Sequence, residues 1–391
     1  MTIDEYLINS CVFILFVLCP MTLAAENIFN PLDFSVGGRI KVDAIYNFNS
    51  VSGSNTSRAD LSFSPPAIQI PTGNDEEFDL NVRESRLWAT AHLPVNNIDL
   101  AGYVEIDFFG IDRDHSGVAR LSNKPRLRHA YASYKGLTVG RTYTTFFNIS
   151  SFPEINDSGG PLGVLHIRQE LIQYIKQFVW GKGFFALEEP ESTLISSTGK
   201  RLKPEDNRVP DIVGKIEFAN NWGNWSLAGL LREIRAKGTV QAGIEDSVWG
   251  GAISAAGRIY LFNELDNVRF AISYGNTLGR YLSSNSFNDG AIDSAGNIEL
   301  TEMIGGYLAY QHWWTSELRS SVILGMAYAD QDTAILPATV NKFFASSHVN
   351  LLWSPMMETT VGIEWLHGYR ELENGQDGNL DRIQLTAIYK F

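Results

Sequence analysis

The sequence lacks any apolar run long enough to cross a membrane as a helix. Its main one, CVFILFVL at Cys11–Leu18, falls well short of the ~20 residues a helical span needs. A mean hydropathy of −0.09 likewise excludes a polytopic helical membrane protein. It does not exclude a β-barrel, whose strands alternate apolar and polar residues and so average near zero. Cysteine is almost missing. Cys11 and Cys19 are the only two, both inside or beside that run, so the remaining chain offers no disulfide framework and no Cys-ligated metal. Basic charge is in deficit, with 31 Lys+Arg against 44 Asp+Glu and a net charge of −13. That excludes a nucleic-acid binder, because neutralising phosphates needs a basic surface. What is plentiful is glycine (34) and aromatic side chains (22 Phe, 15 Tyr, 9 Trp), a composition that argues against helical bundles, coiled coils and disordered chains.

The apolar run is followed by Pro20 and the small-residue stretch Thr22-Leu23-Ala24-Ala25. This pattern predicts a secretory signal peptide over residues 1–25, although the leading segment carries Asp4 and Glu5 and no Lys or Arg. Residues 26–34 are expected to form a short periplasmic segment, and residues 35–391 one folded domain.

From Ser35 onward a period of two recurs. Val36, Gly38, Ile40, Val42, Ala44, Tyr46 and Phe48 share one face, and Arg39, Lys41, Asp43 and Asn47 take the other. Val104, Ile106 and Phe108 oppose Tyr103, Glu105 and Asp107; further on, Arg126 and Arg128 share a face. At the end of the chain Ile383, Leu385, Ala387, Tyr389 and Phe391 oppose Arg382, Gln384, Thr386 and Lys390. A strand with one apolar and one charged face needs a different solvent on each side. About sixteen such segments can be counted. Their connections alternate in length. Short turns are expected at Pro94–Asn97, Asn220–Asn224, Phe262–Asn267, Trp313–Ser316 and Trp353–Met356. Long loops are expected at 49–78, 110–124, 148–164, 190–208, 276–297, 330–340 and 370–379. Trp and Tyr cluster near strand ends, as in membrane-interface girdles. The prediction is an all-β protein: a transmembrane antiparallel β-barrel in a Gram-negative outer membrane.

Three stretches are more specific than the strand pattern: KVDAIYNF (Lys41–Phe48), VEIDFFG (Val104–Gly110) with RLRHAY (Arg126–Tyr131), and FPEINDSGGPLG (Phe152–Gly163) leading to IRQ (Ile167–Gln169). Together they resemble the DcaP-like outer-membrane porins. The resemblance is strongest over about residues 36–190, and the chain has no coiled-coil segment of the kind some members carry. It implies a homotrimer of sixteen-stranded barrels admitting small, often anionic solutes, dicarboxylates among them. The terminal Tyr389-Lys390-Phe391 resembles the aromatic signature that the barrel-assembly machinery recognises, which makes Phe391 an assembly signal.

Residues 148–164 are the third long loop, the one that folds inward in sixteen-stranded porins. Its glycines and prolines permit a tight return of the chain, and Glu154 and Asp157 are placed to project acid into the lumen. The polar strand faces supply Arg39, Lys41, Arg86, Arg126, Arg128 and Arg168, with Glu105 and Asp107 among the acids sharing those walls. Guanidinium groups offer a fixed donor fork for carboxylates and stay charged when partly desolvated. Opposed basic and acidic walls would set up a transverse field that orients a passing solute. The competing expectation is that these charges merely pair with each other. Ser346, Ser347, His348 and Asn350 supply a nucleophile and a base, but His348 and Asn350 share a face while Ser347 points away. His129 and His166 lack metal-ligand spacing. The reading is therefore a passive diffusion porin with no cofactor, its partners being small hydrophilic solutes, outer-membrane lipids and the assembly machinery. A barrel enzyme of lipase or protease type, or an adhesin, is the alternative.

Overall fold

The computed structural model describes residues 33–49, 65–95, 98–113, 119–121, 123–204, 207–237, 245–261, 265–282 and 286–391. The expected signal peptide and nearly all of the 26–34 segment lie outside them.

Among the described residues, sixteen strands form one antiparallel sheet. The first six are β1 (Asp33–Asn47), β2 in two halves (Glu77–Asn81 and Arg86–Val95), β3 (Ile98–Asp107), β4 (Arg126–Tyr134), β5 (Leu137–Tyr143) and β6 (Arg168–Phe178). Next come β7 (Gly181–Glu188), β8 (Asp211–Asn220), β9 (Gly223–Lys237), β10 (Glu245–Tyr260) and β11 (Asn267–Gly275). The circuit ends with β12 (Glu302–Trp313), β13 (Leu318–Asp330), β14 (Asn341–Met356), β15 (Thr359–Leu372) and β16 (Asp377–Lys390). The sheet closes because β16 pairs back onto β1, from Arg39↔Lys390 to Asn47↔Arg382. Closure leaves no edge strand, so the backbone polar groups of the wall find partners without water.

The alternation seen in the sequence sets which way each side chain points. On β16 Leu385 and Tyr389 are exposed, whereas Arg382, Gln384 and Thr386 are buried. The exposed large apolar residues form the outer face, which in a bilayer meets lipid.

At one end two-residue turns join β4 to β5, β6 to β7, β8 to β9 and β14 to β15, and a four-residue turn joins β12 to β13. Lys135 and Gly136 both have positive φ (47° and 83°), the geometry of the primed hairpin turns whose twist matches the strands. The turn expected at Trp353–Met356 lies later, at Met357–Glu358. Strand β14 carries Pro355 inside an irregular stretch between Trp353 and Met356, where the missing N–H costs no ladder bond. The loop expected over 370–379 shrinks to a four-residue connection, Glu373–Gln376, because β15 and β16 keep pairing as far as Glu371↔Asp377.

At the opposite end the loops fold on each other. Leu194–Ser196 pairs in parallel with Gly290–Ile292, flanked by Arg201–Leu202 and Ile298–Leu300 in a four-stranded sheet. The segment expected to be a long loop at 276–297 carries a buried core: Leu278, Tyr281, Leu282, Phe287 and Asp289 are all covered. Its four apolar members join Phe146, Phe147, Leu162 and Val164 from the β5–β6 connection in one cluster, against small residues of the wall such as Ala228 and Ala252.

Candidate solute pathway

The charged faces of β1–β4 meet through two local irregularities. Strand β2 is interrupted at Val82–Ser85, opposite Ile40–Val42. Ser85 repairs the ladder there: its hydroxyl takes the Lys41 N–H at 3.1 Å and donates to the Lys41 carbonyl at 3.3 Å. The interruption drops Glu84 among cations, with ion pairs to Arg39 and Lys41 and a third to Arg86 at 3.0 Å. The second irregularity is a bulge on β4, facing Glu105 and Ile106 of β3, where His129 lies opposite Glu105 and Leu127 opposite Ile106. Arg128 is the extra residue, re-aimed so that it bonds both Glu105 (2.5 Å) and Asp107 (2.8 Å). Arg126 reaches Asp107 through Nε at 2.9 Å and a second nitrogen at 2.6 Å. Arg86 lies 3.5 Å from Glu105, and the Tyr103 hydroxyl donates to Glu105 at 2.6 Å. Arg39, Glu84, Arg86, Glu105, Arg128, Asp107 and Arg126 thus form one alternating ladder across four strands. This corrects the expectation of opposed walls. Acids and bases share one wall, because residues on neighbouring strands come within ion-pair distance of each other.

Arg168 stands apart. Its guanidinium lies over the Tyr143 ring at 5.3 Å and donates to the Tyr143 hydroxyl at 3.3 Å, and no carboxylate partner is found among the described residues. Beside it His166 stacks on Phe152 with ring centroids 5.9 Å apart. Burial, reinforced by Arg168, Arg128 and Arg126, pushes the His166 imidazole down to about 3, so it is neutral at any physiological pH.

Glu154 and Asp157 do not present free acid. Glu154 is gripped by Arg319 of β13, with Nε at 2.6 Å, and accepts from Gln311 of β12 at 2.7 Å. Asp157 pairs with Arg382 of β16 at 3.0 Å. Burial raises the Glu154 carboxyl, but the Arg319 guanidinium outweighs it and holds the group below the usual carboxylate range. The backbone of the same segment is tied as well. The Asn156 carbonyl takes Lys41 Nζ at 2.6 Å, the Asn156 N–H donates to Glu364 at 2.9 Å, and the Leu162 N–H donates to Ser346 Oγ at 3.2 Å. Ser346, His348 and Glu364 are linked at 3.2 Å on each side of the imidazole and all buried under this segment. The sequence points to Asn350 as the residue sharing a face with His348. Strand parity puts Ser346 on that face too.

A cavity of about 600 Å³ lies between the ladder, residues 147–159 and the walls of β13–β16. Arg39, Arg86, Arg126, Arg128, Arg141, Arg168, Arg319 and Lys390 line it, against Glu84, Glu154 and Asp157. The structure brings together the expected lumen residues of β1 to β6. It adds Arg141 of β5, Arg319 of β13, Lys390 of β16 and, beneath residues 148–164, Glu364 of β15. Arg319 and Glu364 were not singled out by the sequence, because only closure brings β13–β16 round beside β1, whereas Lys390 already sits on the polar face of the last segment.

Residues 30–391 match the DcaP outer membrane protein family. The fold is similar to the outer membrane channel DcaP of Acinetobacter baumannii, with a TM-score of 0.78 at 21% identity, covering 92% of this chain and 97% of that one. It is also similar to the trimer form of OmpT from Vibrio cholerae (TM-score 0.56, 9% identity, 93% and 100% covered). The anion-selective porin from Comamonas acidovorans is a further likeness (0.54, 10%, 92% and 100%). No curated protein matches the sequence. At such identities the structural likenesses carry the fold alone. Together with the closed barrel, the family match makes the protein an outer-membrane porin, and the chain belongs to the DcaP outer membrane protein family.

Proposed function

We propose that this porin passes small hydrophilic solutes by passive diffusion, with a modest preference for small anions such as dicarboxylates. The observation that carries the preference is Arg168: a guanidinium in the cavity with no carboxylate partner among the described residues, beside a ladder that already holds more cations than acids. A carboxylate passing along it meets donor forks at successive steps, each weak enough to release it. The chain's net charge of −13 points the other way, but permeation samples the narrowest region, where the field is concentrated. Residues 148–164, tied to β13–β16 through Glu154 and Asp157, are read as the segment that narrows the channel. Arg39, Lys41, Arg86, Glu105, Asp107, Arg126, Arg128 and Arg168 are read as its lining.

The same proposal includes a leader removed near residue 25, a homotrimer in a lipid environment, and delivery by the barrel-assembly machinery through Phe391. A likeness to a trimeric porin supports the oligomer, and native mass spectrometry in mild detergent tests it: a monomer overturns it. Planar-bilayer reversal potentials in a salt gradient test the selectivity. Anion preference that falls when Arg168 is replaced by Ser supports the reading, and strong cation selectivity of the native channel overturns it.

A further inference from the structure

The lumen face of the barrel is not uniform around its circumference. Between β1 and β6, and again between β13 and β16, it presents charged and polar groups to the 600 Å³ cavity. Among the described residues, none of β7–β12 lines that cavity. On β7–β11 the buried inward positions mix polar groups such as Lys215, Ser226 and Ser254 with a run of small or aliphatic residues: Ala186, Val213, Ala228, Leu230, Ala252 and Ala271. Inward apolar residues in a porin need something apolar to cover them, since water in the lumen would not.

Two segments supply the cover. One is the β5–β6 connection already described. The other lies between β11 and β12, in residues 276–282 and 286–301. Leu278, Tyr281 and Leu282 are 0% exposed. The Tyr281 hydroxyl donates to Asp211 of β8 at 2.8 Å and accepts from Gln169 of β6 at 3.0 Å, and its ring meets Phe146 edge-on at 6.0 Å. Leu282 lies over Gly305 of β12 so closely that a Cβ there would come within 2.5 Å of it. Arg232 of β9, also 0% exposed, locks the arrangement. It pairs with Asp211 at 2.9 Å and Asp289 at 2.7 Å, and donates to the carbonyls of Thr277 (2.8 Å) and Glu191 (2.7 Å). A buried guanidinium with its carboxylates and carbonyls all in place is stable only as a complete set, so it specifies one position for the segment.

We infer that residues 276–282 and 286–301 form a second occluding segment, which together with the β5–β6 connection fills the β7–β12 half of the lumen and confines permeation to the arginine-lined half. Pore cross-section is then set by Tyr281 and its neighbours as much as by residues 148–164. This rests on the reading of the cavity as part of a conducting path.

Thiol accessibility tests it, in a chain carrying Cys11→Ser and Cys19→Ser. Thr360→Cys reports on the cavity side and Ala252→Cys on the filled side; the probe is an anionic, membrane-impermeant methanethiosulfonate, read by mass and by single-channel current. Thr360→Cys is expected to react and reduce the current, with Ala252→Cys reacting about tenfold more slowly or less, the rate being limited by local opening. Adding Leu278→Ser, Tyr281→Ser and Leu282→Ser is expected to expose Ala252→Cys and to raise the conductance. Equal, fast reaction at both positions without the triple change overturns the second occluding segment and leaves the diffusion path standing. Reaction at Thr360→Cys as slow as at Ala252→Cys overturns both. The first comparison uses only single substitutions on the intact loops, so it stands even if the triple variant fails to assemble.

Discussion

Phe391 and Gly38 close the barrel on each other. The Gly38 N–H donates to the Phe391 carbonyl at 2.9 Å, and the Phe391 N–H donates to the Gly38 carbonyl at 3.0 Å. The Phe391 ring occupies the space a side chain at Gly38 would need, since a Cβ there would lie only 2.5 Å from it. Phe391 is therefore the last rung of the β1–β16 seam.

Gly38→Val is expected to strain that seam. Overfilling a packed site costs about 1–3 kcal/mol. Native-like barrel, measured as the heat-modifiable band in SDS without boiling, should decline, and deletion of Phe391 should reduce it further. Unchanged barrel levels in both variants would show that the seam tolerates loss of this contact.

Arg128 and Arg168 should separate stability from selectivity. Arg128→Ala leaves Glu105 and Asp107 short of a partner inside the wall, and breaking such a buried pair costs about 3–5 kcal/mol. The unfolding temperature of the barrel should fall clearly. Arg168→Ala breaks no ion pair among the described residues, so it should leave that temperature nearly unchanged while shifting the reversal potential toward cations. The opposite pattern would mean that Arg168 is structural.

Gly163 has φ of +80°, and a Cβ there would lie 2.2 Å from the Gly306 nitrogen. Gly163→Ala must therefore move the segment off β12, at a cost of more than ~1 kcal/mol. Expected are noisier single-channel currents and a higher mean conductance. Gly375→Ala, also at positive φ but with open space around it, serves as the control and should leave conductance unaltered.

The Glu154–Arg319 contact gives a pH dependence of definite sign. The carboxyl is held below its ordinary value of 4.5 in the folded state. Its contribution is therefore present above that value and is lost as pH falls through the lowered one. Conductance fluctuations should rise only in strong acid for the native channel. Glu154→Gln should show them already at neutral pH. Identical pH profiles for the two would assign the anchoring to Asp157 and Glu364 instead.

Most of the wall was legible because strand parity is a local property. Leu385 outward and Gln384 inward follow from the alternation at the chain's end, and so do the inward positions of Arg39 and Lys41 near its start. Two of the places that were not legible show why. The bulge at Glu105 shifts the phase between Arg128 and His129, and a bulge leaves no mark in a period-two pattern. The residues 276–297 read as an ordinary polar loop, since Leu278, Tyr281, Leu282 and Phe287 are too few and too irregularly spaced to signal burial.

By itself the sequence determined the kind of object this is: a chain of alternating segments with long and short connections in turn. That pattern admits a closed membrane barrel because each strand must satisfy lipid on one face and polar groups on the other. Only the tertiary structure decided which charges meet. Closure brings β13–β16 round beside β1, so that Arg319 and Arg382 hold Glu154 and Asp157 and turn two expected lumen acids into anchors. It also places the ladder's cations beside their acids, while Arg168 contacts the Tyr143 ring and hydroxyl and forms no ion pair among the described residues. Ion pairing depends on distances of a few ångströms between residues up to hundreds of positions apart, and such distances exist only once the sheet has closed.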